Sequence, residues 1–260
     1  MTRGWTEGRR ELALYAATAG VVAFAIAAVF HLHPWPTPLK SQADPLGWDL
    51  TAAYLLAGAL GVAVLPWTGV PLSPTAAERG RWLRIGGWAL AIGALYGVTD
   101  IAIDQLTPWG AHIAASDKAN GYRWANVGLP WSLLHYAHAT ILSECAFRLA
   151  PILILTWLVS RVLLRGRYEA TTFWSLATLS ALIEPLEKAV LLRKWPLDGL
   201  SPMEQMMMFE AVFWQFIYAV LLRRFGWASP IIARYGYYLV VRILGAYVFW
   251  PDTVMPASLP

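Results

Sequence analysis

Charged residues are scarce in this chain, and their scarcity limits the class of protein that it can be. They make up 14% of the 260 residues, whereas apolar residues make up 58%. An average soluble domain is about 25% charged. A soluble fold of this length would lack the polar side chains needed to cover so much apolar surface, whereas a bilayer solvates apolar faces directly. The composition therefore predicts an integral membrane protein whose main partner is the lipid bilayer.

Cysteine is almost absent, which excludes two further classes. Cys145 is the only cysteine in the sequence and lies inside an apolar run, so neither an intramolecular disulfide framework nor a cysteine metal cluster is available. The net charge of +4 comes from short arginine clusters between apolar runs. That distribution is typical of topology signals and does not indicate a nucleic-acid partner. We predict no cofactor.

Seven apolar segments follow one another along the chain, and most have the length of a membrane span. A spanning helix needs about 20 apolar residues. The fourth segment is longer than one span and contains Pro130 and Pro151, so we expect a tilted or broken helix or a preceding interfacial piece. The pattern predicts an all-α, polytopic transmembrane bundle of about seven spans. The segments are roughly 11–32, 48–66, 85–106, 129–164, 171–192, 206–222 and 229–250.

Arginine and lysine clusters predict how the bundle is oriented, because loops on the inner side of a membrane are enriched in them. With the N-terminus inside, eleven of these residues fall on inside segments and six on outside segments. The sequence therefore predicts an inside N-terminus and an outside C-terminus. The inside residues are Arg3, Arg9, Arg10, Arg79, Arg81, Arg84, Arg161, Arg165, Arg167, Arg223 and Arg224.

Ionisable residues within the apolar segments are costly in hydrocarbon, so each is expected to face the protein interior with a partner. Glu144 and Arg148 are four residues apart and can pair on one helix face. One interpretation is a neutralised structural pair that locks two helices. The other is a buried carboxylate that acts as a general base and is oriented by Arg148.

His135 and His138 share a face of the same segment, and two interpretations stay open for them. They are either polar residues at a helix interface or at headgroup level, or part of a metal site completed by Glu144 or an aspartate. Because no third ligand is fixed by local spacing, we predict that neither binds a metal. Asp100 and Asp104 are expected at the membrane interface.

Three stretches in the second half of the chain, between about 140 and 250, match a family of membrane enzymes in order and texture. The first is Ser143-Glu144-Cys145-Ala146-Phe147-Arg148, the second runs over 173–184, and the third over 225–234. They resemble the E-E-x-x-x-R, F-x-x-x-H and H-x-x-x-N/D motifs of the CAAX-protease and bacteriocin-processing (CPBP, Abi-type) intramembrane peptidases. A second register that begins at Phe209-Glu210 leaves no room for the third motif.

The chain departs from that family at several of its catalytic positions. Glu144 and Arg148 match the first motif, but Ser143 replaces its leading glutamate. Glu184 and Arg234 stand where the family has histidines. Tyr238 stands where the family has asparagine or aspartate.

The resemblance implies a site and a function. Glu144, Arg148, Glu184 and Arg234 become the candidate catalytic set, which we expect to lie together in the interior as a charge network. It implies a non-proteolytic member that acts as a scaffold or partner-binding subunit. The alternatives are an active peptidase that uses Glu144, or a membrane metalloenzyme that uses His135 and His138, so whether the chain is an enzyme stays open.

The resemblance also implies a domain division, a location and partners. Residues 1–128 would carry the first three helices, and 129–260 the CPBP-like core. The location would be the bacterial or archaeal cytoplasmic membrane. The partner would be a membrane protein or a peptide substrate.

Overall fold

Helices account for nearly all of the residues that a computed structural model of the chain describes, which are 2–32, 47–72, 78–108, 126–191, 201–251 and 254–255. Each apolar segment of the sequence falls on a helix, so the all-α class is confirmed for this part of the chain. The helices are α1 (Thr2–Leu32), α2 (Gly47–Val64), α3 (Arg79–Leu106), α4 (Trp131–Glu144), α5 (Glu169–Leu191), α6 (Pro202–Phe225), α7 (Ala228–Tyr238) and α8 (Gly245–Phe249).

Five helical stretches within the described residues are long and apolar enough to cross a membrane. At 1.5 Å per residue, about 20 residues span the hydrocarbon core of roughly 30 Å. The first and fifth predicted segments lie on α1 and α5, which have 31 and 23 residues. Near the C-terminal end of both helices, however, the side chains lie outside the described part. The total of seven spans therefore stays a prediction. The five stretches are Asp49–Trp67, Gly80–Leu106, Trp131–Leu163, Gln205–Phe225 and Ala228–Phe249.

A break in the fourth segment, which its prolines led us to expect, is not observed, because Trp131–Leu163 is one helical stretch whose helix type changes along its length. Its helix begins at Trp131, directly after Pro130, and is π-helical over Cys145–Ile154 and again over Trp157–Leu163. Pro151 lies inside the first π stretch. Proline removes a backbone donor and its ring clashes with the preceding turn, and a wider turn is one way for a helix to continue past it.

The chain divides into two compact units, each built from distant segments. Unit 1 comprises Met1–Ala17, Ala53–Ile85 and Leu142–Pro230. Unit 2 comprises Thr18–Ala52, Gly86–Ile141 and Ile231–Pro260. The boundary near residue 128 that the resemblance implies stays a prediction.

Close helix packing in unit 1 depends on two glycines of α2. A Cβ atom on Gly61 would overlap the backbone carbonyl of Leu149, and one on Gly58 would overlap the Cys145 sulfur. Small residues let helix backbones approach, which drives association where lipid removes the hydrophobic effect between helices. The first π stretch is thereby held directly against α2.

Unit 2 uses the same device between α3 and α7. A Cβ on Gly93 would overlap the backbone of Ala233. Beside this contact the Tyr96 and Tyr237 rings stack with centroids 4.3 Å apart. The Tyr237 hydroxyl donates a 2.8 Å hydrogen bond to Asp100. Asp100, which we expected at the membrane interface, therefore has a defined partner on a neighbouring helix.

A short parallel strand pair completes unit 2. Strand β1 (Asn126–Val127) pairs with β2 (Val254–Met255), next to the end of the chain. Asn126 is buried and accepts a 3.2 Å hydrogen bond from the Tyr136 hydroxyl. Nothing in the sequence pattern predicted this pair, because two-residue strands leave no alternation to detect.

Candidate functional site

A buried ion pair lies in unit 1 where α4 gives way to the first π stretch. Glu144 is 0% exposed and Arg148 is 1% exposed. Arg148 Nη1 donates a 2.6 Å hydrogen bond to Glu144 Oε1. The spacing of four residues brings these side chains to one helix face. The pairing that the spacing allowed is therefore present.

Arg148 reaches across to α6, where two residues hold the rest of its guanidinium. Its Nη2 donates a 3.1 Å hydrogen bond to the Gln215 backbone carbonyl and a second one to the Gln215 side-chain oxygen. The guanidinium carbon lies 4.9 Å from the centre of the Tyr218 ring. A carboxylate, a carbonyl, an amide and an aromatic face thus share one cation, which is the environment that a buried arginine requires.

A second polar contact lies directly beside the pair. The Cys145 thiol and the Tyr15 hydroxyl of α1 are 2.9 Å apart and share a hydrogen bond. The Tyr15 ring packs edge-on against Trp227, with centroids 5.4 Å apart. The Trp227 indole donates a 2.6 Å hydrogen bond to Glu11, whose side chain is buried. Side-chain contacts therefore connect α1, the first π stretch and the turn between α6 and α7 within unit 1.

The geometry bears on what Glu144 can do chemically. A general base needs an oxygen that can reach the proton it removes, directly or through one water. Here Oε1 is engaged by Arg148, and the side chain is inaccessible to solvent in this state. Such an arrangement suits a structural cross-link between the first π stretch and α6. Catalysis would require water to reach the buried carboxylate.

The rest of the predicted charge network is placed only in part. The Glu184 side chain lies outside the described residues, although α5 includes its backbone. Arg234 is buried, at 5% exposed, and belongs to unit 2, whereas Glu144 and Arg148 belong to unit 1. The convergence of all four residues, and their catalytic role, stay predictions.

The two histidines lie half-buried on α4 in unit 2. The His135 ring meets its neighbour Tyr136 edge-on, with centroids 4.9 Å apart. Among the residues that the structure describes, no three histidine, cysteine, aspartate or glutamate side chains are grouped so that they could hold a metal ion. Asp104 accepts a 3.0 Å hydrogen bond from Gln105.

Gln215 and Tyr218 are the site residues whose roles the sequence did not reveal. Gln215 is 67 positions from Arg148 in the chain, so no local spacing links them. The available signal was a glutamine inside an apolar run with a tyrosine three residues later, on the same face of a helix. That signal locates a polar face on α6 but does not identify the cation that it binds.

Comparison with known proteins adds no assignment to this geometry. No protein-family model, no curated protein and no solved structure matches this chain. What the protein does must therefore be inferred from the residues of the site itself.

Proposed function

We propose that this integral membrane protein is a non-proteolytic scaffold or partner-binding subunit, in which Arg148, paired with Glu144, links the first π stretch to α6. The observation that carries the proposal is the contact of Arg148 with Glu144, Gln215 and Tyr218 in a buried position. A scaffold needs a fixed interior more than it needs an accessible reactive group.

The energetics favour a structural role for the pair. An unpaired arginine or acidic side chain at the bilayer centre costs roughly 2.5–3.5 kcal/mol even on lenient insertion scales. Pairing removes most of that cost, and the geometry of a buried pair can select one helix register over others. Because Arg148 binds both the backbone and the side chain of Gln215, a shift of α6 along the first π stretch would break both hydrogen bonds together.

The resemblance to CPBP peptidases suggests that the scaffold descends from a peptidase of that family. Ser143, Glu184 and Arg234 occupy positions where that family carries a glutamate and two histidines. A relative that had lost these groups would keep the helices and lose the peptidase chemistry. This part of the proposal rests on the motifs alone.

The test is the isosteric substitution Glu144→Gln in purified protein, followed by two measurements. If the Glu144–Arg148 pair is structural, the Glu144→Gln variant should melt at a clearly lower temperature than the wild type. The wild-type chain should then cleave no peptide. Ser143→Ala is the matched control, since Ser143 precedes Glu144 and makes no charged contact in the described structure. Its melting temperature should stay close to that of the wild type.

A second candidate function is an intramembrane peptidase that uses Glu144 as its base. It is favoured by the π stretch that begins at Cys145, directly after Glu144, because π-helical segments are frequent at functional sites. Cleavage of a membrane peptide by the wild-type chain that disappears in a stably folded Glu144→Gln variant would establish this function and overturn the scaffold.

A further inference from the structure

One end of unit 1 concentrates positive charge. The stretches 64–72, 161–169 and 223–229 meet there, and together they hold five arginines and one acidic residue. We call this set the arginine end. It consists of Arg161, Arg165, Arg167, Arg223 and Arg224 with Glu169.

Ion pairs and hydrogen bonds fix part of the arginine end, because one carboxylate lies between two guanidiniums. Glu169 Oε1 is 3.2 Å from Arg223 Nη2, and its Oε2 is 3.6 Å from Arg161 Nη2. Arg161 Nε also donates a 3.1 Å hydrogen bond to the Trp67 carbonyl oxygen. Arg223 Nη1 donates a 2.6 Å hydrogen bond to the Thr68 carbonyl oxygen. The segment after α2 is thereby joined to the start of α5 and the end of α6.

Three further arginines lie within four residues of this bridge along the chain and do not share it. Arg165, Arg167 and Arg224 are exposed and form no ion pair with any acidic side chain of the described part. Arg165 and the following Gly166 have left-handed backbone, with φ of 53° and 86°. The tight turn that results brings the Gly166 backbone next to the Arg161 guanidinium, with Arg165 and Arg167 on either side of Gly166 in the chain. A single carboxylate leaves most of this charge uncompensated, so the arginine end favours an anion.

Exposed apolar residues lie within the same stretches. Val162, Leu163 and Phe225 are 51%, 66% and 37% exposed, and Tyr168 is 69% exposed. Each is within two residues of an arginine. A small soluble anion needs no apolar surface, whereas a phospholipid presents a charged phosphate next to its acyl chains. Basic clusters where helices leave the membrane attract anionic headgroups for this reason.

We propose that the arginine end binds the phosphate of an anionic phospholipid, with Arg165, Arg167 and Arg224 on the headgroup and the neighbouring apolar side chains against its acyl chains. This site is separate from the Glu144–Arg148 pair and does not depend on the scaffold function. It would attach the lipid to the place where α2, α5 and α6 are joined.

The experiment counts lipid molecules bound to the purified full-length chain in a neutral detergent by native mass spectrometry. The probes are phosphatidylglycerol, phosphatidylcholine and inorganic phosphate. We expect saturable binding of phosphatidylglycerol and little retention of the other two. The triple change Arg165→Gln, Arg167→Gln and Arg224→Gln should weaken phosphatidylglycerol binding about 100-fold, and Arg224→Gln alone about fivefold, since each arginine near a headgroup contributes a factor of about five.

The matched control removes two exposed arginines of α3 in unit 1, through Arg81→Gln and Arg84→Gln, and is compared with the double change Arg165→Gln and Arg167→Gln. The two double variants change the net charge equally. The α3 variant should leave the affinity within about threefold, whereas the Arg165 and Arg167 variant should lose about 25-fold. Equal losses in both double variants would show an unspecific charge effect and overturn the site. Binding of phosphatidylcholine as tight as that of phosphatidylglycerol would overturn it as well. Inorganic phosphate that binds as tightly as the lipid would identify a free-phosphate site instead.

Discussion

Replacing Arg148 with methionine tests the buried pair most directly. The change removes the 2.6 Å ion pair with Glu144, both hydrogen bonds to Gln215 and the contact with the Tyr218 ring. It also leaves the Glu144 carboxylate buried without its cation. Removing one partner of a buried pair costs about 3–5 kcal/mol, against a typical total stability of about 5–15 kcal/mol.

The expected fall in melting temperature follows from that cost. For a chain of this size, 1 kcal/mol corresponds to roughly 2–4 °C, so Arg148→Met should melt about 6–20 °C below the wild type. The assay is thermal unfolding in a neutral detergent, followed by circular dichroism at a helix wavelength. Arg224→Met removes an exposed arginine at the end of α6 and should stay within about 0.5 kcal/mol of the wild type.

The double change Glu144→Leu with Arg148→Met supplies the decisive comparison. It leaves no buried charge, and apolar replacements of a buried pair are often tolerated. The double variant should therefore be more stable than Arg148→Met alone, as expected for coupled neighbours. A double variant no more stable than the single one, or an Arg148→Met variant that melts with the wild type, would refute the structural role.

Three further predictions test helix packing, topology and metal binding. Gly61→Ala should destabilise by about 1–3 kcal/mol in the same thermal assay, because its methyl group meets the Leu149 backbone; Gly20→Ala, with open space around it, should be neutral or stabilising. Reporter fusions should report inside at 75 and 165 and outside at 115 and 198, and an even number of spans would contradict the arginine pattern. Elemental analysis should find no stoichiometric metal, whereas one ion per chain that is lost on substitution of His135 or His138 would contradict our interpretation.

The positions of the helices could be predicted from the sequence because membranes impose simple rules. A run of about 20 apolar residues can only be helical in lipid, since every backbone group must find a partner within the segment. The fourth apolar segment, placed at about 129–164, coincides with the helical stretch Trp131–Leu163. Local spacing was equally informative for Glu144 and Arg148, because side chains four residues apart on a helix lie on the same face and can form an ion pair.

The remaining contacts of the site could not be predicted, because they join residues far apart in the chain. Gln215 meets Arg148 only because α6 packs on the π stretch, and nothing near either residue encodes that packing. Gly61 posed the same difficulty, since a glycine signals close approach without naming the backbone that approaches. The π stretches were also missed, because their apolar pattern differs little from that of an α-helix over ten residues.

The free energy of opening the Glu144–Arg148 pair bears on the two functions proposed for the site. Water must reach the buried Glu144 carboxylate for it to act as a base, and movement of Arg148 away from it is one way to admit that water. The move would also break the hydrogen bonds to Gln215 and leave two charges without partners in an apolar interior. If opening costs about 3 kcal/mol, the low end for a broken buried pair, the open form holds less than about 1% of the molecules. A peptidase that opened this pair would therefore need its substrate to supply that free energy on binding, whereas a scaffold uses the closed form directly.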